Sequence, residues 1–164
     1  MEELKKLKEL LKEERPNNWE DIPDIDLYMD QVLSYMKRQH IGLESGESLT
    51  SAMVNNYIKK EVLPRAKGKR YERTHIAYLT AICLFKQVLS VDAAKDLLDN
   101  QLKVADIKTF YEKYCTKLDG IYTEVANKIQ EDMTKEDISE IVLELAISSY
   151  AQKIACEKLL ELLV

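Results

Sequence analysis

Apolar residues recur every three or four positions along almost the whole chain, which is the spacing of one face of an α-helix. The spacing predicts a first helix over 2–14, which ends before Pro16 because proline pushes the preceding residue out of the helical region. Seven further helices are predicted, over 26–40, 51–61, 72–89, 90–99, 104–118, 121–132 and from 134 towards 164. The sequence has no run of strand-like alternation, so the pattern predicts an all-α protein.

Several helix starts are marked by residues that can cap them. Thr50 and Ser90 stand directly before predicted helices, where a hydroxyl can accept a hydrogen bond from a free backbone N–H. Thr134-x-x-Asp137 has the form of a capping box. These signals place the starts of three helices.

Three further predictions concern helix ends and packing. The helix over 72–89 is apolar on nearly every side, so we expect it at the centre of its domain. Gly120 is expected to end or break the helix over 104–118. The end of the last helix is too apolar to stay exposed, and we expect its burial against the core or a second subunit. Its apolar residues are Leu159, Leu160, Leu162, Leu163 and Val164.

Composition places the chain among ordinary globular proteins. Its 164 residues are 46% hydrophobic and 32% charged, with four glycines and three prolines, which argues against all-β folds and long linkers. Three cysteines without a Cys-x-x-Cys spacing and two histidines favour neither a disulfide framework nor a zinc site. The sequence has no apolar run of about 18 residues, so we predict no membrane span and a reducing cytoplasm as the compartment.

Positive charge is concentrated in one short stretch, although the whole chain has a net charge of −5. Residues 16–36 contain five acidic groups and no basic one. Residues 59–73, the basic island, hold two acidic groups and seven basic ones: Lys59, Lys60, Arg65, Lys67, Lys69, Arg70 and Arg73. A local basic island in an acidic protein is compatible with one docking face for nucleic acid, and it argues against wholesale coating of nucleic acid.

The helix over 51–61 has two unlike halves. A helical wheel places an apolar set on one half: Met53, Val54, Tyr57 and Ile58. The other half is polar and carries Ser51, Asn55, Asn56, Lys59 and Lys60. Amide, hydroxyl and ammonium groups bond base edges and phosphates, so this half indicates a recognition helix. The alternative interpretation is a solvated surface helix, followed by a basic turn that balances the acidic stretch.

The order of elements between 26 and 99 carries a further signal. A helix, a loop, the polar-faced helix, a basic turn, a buried helix and a short capped helix follow one another. Residues 55–64 read Asn-Asn-Tyr-Ile-Lys-Lys-Glu-Val-Leu-Pro, and Lys69-Arg70-Tyr71 and Leu89-Ser90-Val91-Asp92 follow. This order resembles the DNA-binding domain of the mercury-resistance-regulator (MerR) family. The resemblance implies a winged helix-turn-helix whose wing is at most a small hairpin.

The DNA-binding hypothesis assigns a role to each residue of the α-helical segment 51–61 and the basic turn that it uses. Bases would be read by Ser51, Asn55, Asn56 and Lys59, and phosphates would be held by Lys60, Arg65, Lys67, Lys69 and Arg70. Tyr57 would lock the recognition helix to the core, and Tyr71 would anchor the wing. The chain departs from the family in three places: Asn55 replaces the usual Arg, Glu61 replaces the usual Gly, and the loop over 41–49 is longer.

Two other runs carry a second resemblance. The first reads Trp19-x-x-Ile22-Pro23-Asp24-Ile25-Asp26-Leu27-Tyr28-Met29-Asp30-Gln31-Val32. The second reads Leu49-Thr50-Ser51-Ala52-Met53-Val54-Asn55-Asn56-Tyr57. Together they are similar to the signature of a bacterial family catalogued as domain of unknown function 1836. This resemblance implies a transcriptional regulator, and it supplies neither an operator nor an effector.

No nucleophile, metal or cofactor motif stands out in the sequence, so we predict a binding protein that is not an enzyme and has no cofactor. Asp24, Asp26 and Asp30 could hold a hard cation. We instead expect helix caps and first-turn charges there, with Asp24 or Asp26 as the cap of the helix over 26–40.

The complete prediction is an all-α, DNA-binding transcriptional regulator. We expect an amphipathic helix at 1–16, a winged helix-turn-helix at 17–99 and a C-terminal helical bundle at 100–164 for dimerisation or regulation. The expected partners are double-stranded DNA and a second copy of the chain, with an unknown small-molecule effector left open. The alternative is a helical protein–protein adaptor whose basic island binds an acidic partner.

Overall fold

The computed structural model describes residues 1–39 and 48–164, and these residues form helices and turns with no β-strand. His40 and most of the loop predicted over 41–49 lie outside the described residues. The helices are α1 (Glu2–Glu13), α2 (Met29–Met36), α3 (Ser51–Lys59), α4 (Arg73–Phe85), α5 (Val91–Leu102), α6 (Ile107–Asn127) and α7 (Lys135–Glu161). A short 3₁₀ turn spans Trp19–Asp21. The all-α prediction is therefore confirmed.

The three predicted caps are confirmed. The Thr50 hydroxyl accepts a hydrogen bond from Met53 N at 3.2 Å, and the Ser90 hydroxyl accepts one from Ala93 N at 3.1 Å. At the start of α7 the Thr134 hydroxyl accepts from Asp137 N at 3.1 Å, and the Asp137 carboxylate accepts from Thr134 N at 2.9 Å. These bonds satisfy N–H groups that a helix leaves free at its first turn.

The start of α2 differs from the prediction. The helix begins at Met29, and its N-cap is Tyr28, whose backbone N–H donates to the Gln31 side chain at 2.9 Å. The expectation that Asp24 or Asp26 caps this helix is wrong. The reason is that Leu27 forms an antiparallel bridge with Tyr71, which keeps the chain extended up to Tyr28.

Gly120 does not end a helix. The two helices predicted over 104–118 and 121–132 are one continuous helix, α6. A glycine inside a helix costs only about 1 kcal/mol relative to alanine, and the neighbouring residues outweigh that cost. A Cβ added at Gly120 would meet no atom within 4 Å, so close packing does not require glycine here.

Residues Arg15–Thr116 form one compact unit, which we call the first unit. Its core surrounds α4, whose Ile76, Ala77, Leu79, Ala81 and Ile82 are fully buried. The other core helices contribute Val32 and Met36 from α2, Val54 and Tyr57 from α3, Leu98 from α5, and Phe110 and Tyr111 from α6. The predicted central position of α4 is confirmed.

A buried polar cluster joins the beginning and the end of the first unit. The Gln39 side chain is 2% exposed, and its amide donates to Thr80 Oγ1 and to the Tyr111 hydroxyl, both at 3.0 Å. Its carbonyl accepts from Asn17 N at 2.8 Å, and the Tyr111 hydroxyl donates to the Asn17 carbonyl at 2.5 Å. Burial raises the pKa of Tyr111 far above its ordinary value, so the hydroxyl stays a donor.

Residues Met1–Glu14 and Lys117–Val164 form the second unit. Its fully buried apolar residues, among those described, are Leu118, Ala126, Ile129 and Leu160. An ion pair of 2.7 Å between Lys128 and Glu144 links the turn before α7 to the helix. The second unit therefore has a much smaller core than the first.

The end of α7 is exposed apart from one residue. Leu162 and Val164 are 80% and 82% exposed, and Leu159 and Leu163 are also exposed. The prediction that this segment is buried against the core of the chain holds for Leu160 alone and is wrong for the others. Apolar spacing predicts a helix, but it does not say whether a partner for each face lies within the same chain.

Candidate nucleic-acid interface

Helix α3 presents its polar half to solvent. Val54 and Tyr57 are buried in the core, and Met53 and Ile58 pack against it. The residues predicted to read bases or phosphates from this helix are all exposed: Ser51, Asn55, Asn56, Lys59 and Lys60. The exposed half carries no acidic group within the helix. The division into two faces is as the helical wheel predicts.

Tyr57 fixes the position of α3 from its buried side. The side chain is 1% exposed, as expected for an anchor, and the Lys86 ammonium lies 5.2 Å from the ring centroid. Burial raises the pKa of the phenol, and the nearby Lys86 opposes this shift. The hydroxyl is buried and has no hydrogen-bond partner among the described residues.

The end of α3 is shaped by Glu61, which has a φ of 60°. Glu61 N donates to the Ile58 carbonyl at 3.0 Å, and Val62 N donates to the Tyr57 carbonyl at 3.0 Å. This bond pattern is a Schellman motif, in which glycine is the usual residue at the left-handed position. The motif buries Val62 and Leu63 and directs the following chain outwards. Glu61 therefore holds a strained conformation at the point where helix and turn meet.

The basic turn, residues 64–71, ends in a tight reversal. Lys67 and Arg70 exchange two backbone hydrogen bonds, of 3.0 and 3.1 Å. Gly68 and Lys69 between them have φ values of 56° and 65°. Positive φ at both central residues is the requirement of a type I′ turn, the usual turn of a two-residue hairpin. Lys69 thus lies at the tip of the reversal.

The basic turn is fixed to the rest of the first unit by Tyr71 and His75. Tyr71 and Leu27 exchange two backbone hydrogen bonds of 2.8 Å, and Tyr71 is buried as predicted for an anchor. His75 is also buried, and its Nδ1 accepts from Glu72 N at 2.9 Å. Its Nε2 lies 3.1 Å from the Arg65 carbonyl. Because Nδ1 accepts, Nε2 carries the hydrogen and donates, so one imidazole bonds both ends of the turn.

Two of the predicted phosphate-binding residues are paired with carboxylates of the same chain. Lys67 Nζ lies 2.8 Å from Glu72, and this hydrogen bond raises the pKa of Lys67 and lowers that of Glu72. Lys60 Nζ lies 3.7 Å from Asp92 at the start of α5. Both pairs are exposed, so each contributes little and phosphate could displace it.

The other predicted basic contacts are exposed and unpaired within the described residues. Lys59, Arg65 and Lys69 have no ion-pair partner there. Arg70 is held in a different way, because its guanidinium lies 5.4 Å from the Tyr28 ring centroid and donates to the Tyr28 hydroxyl at 3.2 Å. Tyr28 directly follows Leu27, and Arg70 directly precedes Tyr71. The backbone bridge between Leu27 and Tyr71 therefore brings the side chains of Tyr28 and Arg70 together. Sequence reasoning missed Tyr28, since nothing local in the sequence reveals that bridge.

Arg73, the last residue of the basic island, does not belong to this surface. Its guanidinium lies 5.4 Å from the Trp19 ring centroid, and its nearest carboxylates are Asp24 at 3.8 Å and Glu20 at 4.0 Å. Glu20 also pairs with Lys108 at 3.1 Å. Residues of the acidic stretch over 16–36 thus pair with Arg73. The alternative interpretation expected such charge balance for the whole basic island. Among the described residues, no group of three or more His, Cys, Asp or Glu side chains could hold a metal ion.

The chain belongs to the family described as domain of unknown function (DUF1836), whose model matches residues 17–114. The matched region lies within the first unit, and the buried polar cluster connects Asn17 at its beginning to Tyr111 near its end. A comparison with curated proteins found no match, and a comparison with solved structures found none either. In the part of the chain that the structure describes, no helix combines the length and apolarity needed to cross a membrane.

Proposed function

We propose that this protein is a transcriptional regulator that binds double-stranded DNA through α3 and the basic turn. One observation carries the proposal. The exposed half of α3 offers amides, a hydroxyl and ammonium groups without an acid, and the basic turn follows it directly. A helix that is packed on one side and polar on the other is suited to the major groove, while neighbouring cations hold the phosphates.

The residues divide into two kinds of contact. Ser51, Asn55, Asn56 and Lys59 contact base edges, since asparagine pairs with adenine in a bidentate manner and lysine reaches guanine. Arg65, Lys69 and Arg70 contact phosphates directly. Lys60 and Lys67 do so only after they leave Asp92 and Glu72, so they add less. The resulting assembly is a winged helix-turn-helix, with the type I′ reversal as a small wing.

The proposal includes a homodimer in a reducing cytoplasm, because one recognition helix reads only one half-site. An adaptor that binds an acidic protein is the second candidate. It is favoured by the Lys67–Glu72 pair, which shows that the island accepts a carboxylate. The two candidate functions differ in the role of Asn55 and Asn56. DNA binding uses both side chains to contact bases, whereas binding to an acidic protein does not require them.

Fluorescence anisotropy with labelled random duplexes over a salt series tests the proposal. We expect the logarithm of the affinity to fall linearly with the logarithm of the salt concentration, with a slope of about −3 to −4 per bound copy for roughly four phosphate contacts in each copy. Lys69→Glu combined with Arg70→Glu should abolish this binding. Lys103→Glu combined with Lys113→Glu changes the net charge equally outside the basic island and should reduce binding only slightly. Absence of binding at low salt would overturn the proposal and favour the adaptor.

A further inference from the structure

The buried imidazole of His75 joins two backbone groups, one near the start of the basic turn and one just after its end. The side chain is 2% exposed, its Nδ1 accepts from Glu72 N at 2.9 Å, and its Nε2 lies 3.1 Å from the Arg65 carbonyl. A backbone N–H can only donate, and a carbonyl can only accept. Both bonds therefore form only with a neutral imidazole that carries its hydrogen on Nε2.

The residues between those two backbone groups carry the proposed phosphate contacts. Lys67 and Arg70 close the reversal, and Lys69 lies at its tip. Tyr71, which bridges to Leu27, meets the imidazole edge to face, with ring centroids 5.3 Å apart. The position of the three cations therefore depends on two bonds of one imidazole as well as on the backbone bridge.

Protonation of the imidazole removes one of those two bonds. An imidazolium carries hydrogens on both nitrogens, so Nδ1 would face the Glu72 N–H with a hydrogen of its own. The bond from Nε2 to the Arg65 carbonyl would remain. The basic turn would then stay attached near its start and be released at its end, next to Tyr71.

Histidine is the side-chain type that ordinarily changes charge between about pH 5 and 8. The basic turn, the segment that bridges to it and the start of α4 otherwise contribute these titratable or charged groups: Asp26, Tyr28, Arg65, Lys67, Lys69, Arg70, Tyr71, Glu72 and Arg73. The Lys67–Glu72 hydrogen bond raises the pKa of Lys67 and lowers that of Glu72, and burial raises the pKa of Tyr71. These three groups are thereby moved further from this pH range, so His75 is the group of these segments that responds within it.

We propose that His75 is a positioning residue for DNA binding, and that its protonation loosens the basic turn so that DNA affinity falls as the pH falls. The inference deepens the proposed function and rests on it. Its direction is distinctive, because added positive charge on a protein ordinarily strengthens its attraction to phosphates. Loosening of the turn predicts the opposite change.

Fluorescence anisotropy with labelled random duplexes at constant ionic strength tests the direction. We expect the wild-type affinity to be about three- to tenfold lower at about pH 5.5 than at about pH 8, as for the loss of one hydrogen bond, with a shallower salt dependence. His75→Gln should retain binding at pH 8 and lose the pH dependence. Glutamine supplies an acceptor and a donor, does not titrate and suits this position of a capping box. The matched control His40→Gln removes the other histidine of the chain and should keep the pH dependence.

Nuclear magnetic resonance tests the positioning without DNA. Imidazole nitrogen spectra at pH 8 should show the Nε2–H tautomer for the signal that is absent from His75→Gln. As this imidazole becomes protonated, the amide signals of Gly68 and Tyr71 should shift with the same midpoint. The amide of Gly120 in α6 should not follow it, and far-ultraviolet circular dichroism should stay helical at both pH values.

An affinity that is unchanged or higher at pH 5.5, or a pH dependence that survives in His75→Gln, would overturn the inference. An Nδ1–H tautomer or turn amides that ignore the imidazole would overturn it too. Loss of helix at pH 5.5 would also do so, because His75 would then hold the whole fold and not the turn. Turn amides that follow the imidazole in a chain that binds no DNA at either pH would overturn the proposed function alone.

Discussion

The two compact units of this protein use their apolar residues in opposite ways. The first unit buries them around α4 and leaves few large apolar side chains exposed: Ile25, Tyr28, Val88 and Val104. The second unit buries little, and one long helix in it exposes apolar residues over most of its length. The first unit therefore buries most of its large apolar side chains within one chain, whereas α7 in the second unit leaves many of its own exposed.

Thiol reactivity should show the largest contrast between the units. Cys83 is buried in the first unit, and burial raises its pKa to about 12, so at pH 8 it is a protonated thiol with little solvent access. Cys156 in α7 is only half-buried. We expect a neutral alkylating reagent to label Cys156 at least about a hundredfold faster, since Cys83 reacts only from opened states. Peptide mass spectrometry over a time course measures both rates, and equal rates would contradict the contrast.

Truncation of one leucine in each unit should give unequal losses of stability. Leu79→Ala in α4 removes a fully buried side chain and should lower the free energy of unfolding by about 2–5 kcal/mol. Leu143→Ala on the exposed face of α7 should change it by less than about 0.5 kcal/mol. Urea unfolding followed by circular dichroism checks both values. A large loss for Leu143→Ala would mean that this face of α7 is already covered within the chain.

The buried polar cluster offers a second comparison. Tyr111→Phe leaves the Asn17 carbonyl without its donor and should lower the free energy of unfolding by about 1–3 kcal/mol. Tyr150→Phe on the exposed face of α7 removes an exposed hydroxyl and should have almost no effect. Thermal unfolding of the two variants checks this pair, and equal melting temperatures would show that the cluster contributes nothing.

Much of this arrangement could be predicted from the sequence, because local patterns determine it. The capping residues Thr50 and Ser90, the buried helix α4 and the two faces of α3 each depend on residues within a few positions. Contacts between distant segments could not be predicted. The bridge between Leu27 and Tyr71 sets the start of α2 and brings Tyr28 to Arg70, and no local pattern encodes that pairing.

Helix α7 and Glu61 mark two limits of the same reasoning. The apolar spacing of α7 is visible in the sequence, but the exposure of Leu143, Ile147 and Tyr150 is a property of the folded chain. The left-handed conformation of Glu61 was also not predicted. The MerR family, which this segment resembles, usually has glycine at this position, and that glycine is a signal for a left-handed residue. A left-handed conformation at a non-glycine residue is recognised only when the backbone is known.

Glu61→Gly should stabilise the protein, which is unusual for a surface substitution. Glycine adopts the positive φ without steric cost, so we expect a gain of about 1 kcal/mol in the free energy of unfolding. The matched control is Lys59→Gly inside α3, which should cost about 1 kcal/mol, because glycine disfavours a helix. Urea titrations compare the two, and a loss of stability in Glu61→Gly would show that the carboxylate has a stabilising contact.

The smallest expected effect concerns the positioning of Arg70. Tyr28→Phe keeps the aromatic ring and removes the hydroxyl that accepts from Arg70, so DNA affinity should fall about two- to threefold. Tyr28→Ala should reduce it further. In an Arg70→Ala background neither Tyr28 substitution should change the DNA affinity, because no guanidinium remains for Tyr28 to position. Losses of equal size in both backgrounds would assign Tyr28 a separate role.

Selection of bound sequences from a random duplex library tests the central claim most directly. The claim is that the exposed half of α3 reads bases. We expect the full chain to enrich one motif, and we expect Asn55→Ala or Asn56→Ala to change which bases are preferred. Lys69→Ala should weaken binding without changing the motif, because the proposal assigns Lys69 to a phosphate and not to a base. Enrichment of no motif, or an unchanged motif in both asparagine variants, would contradict the account.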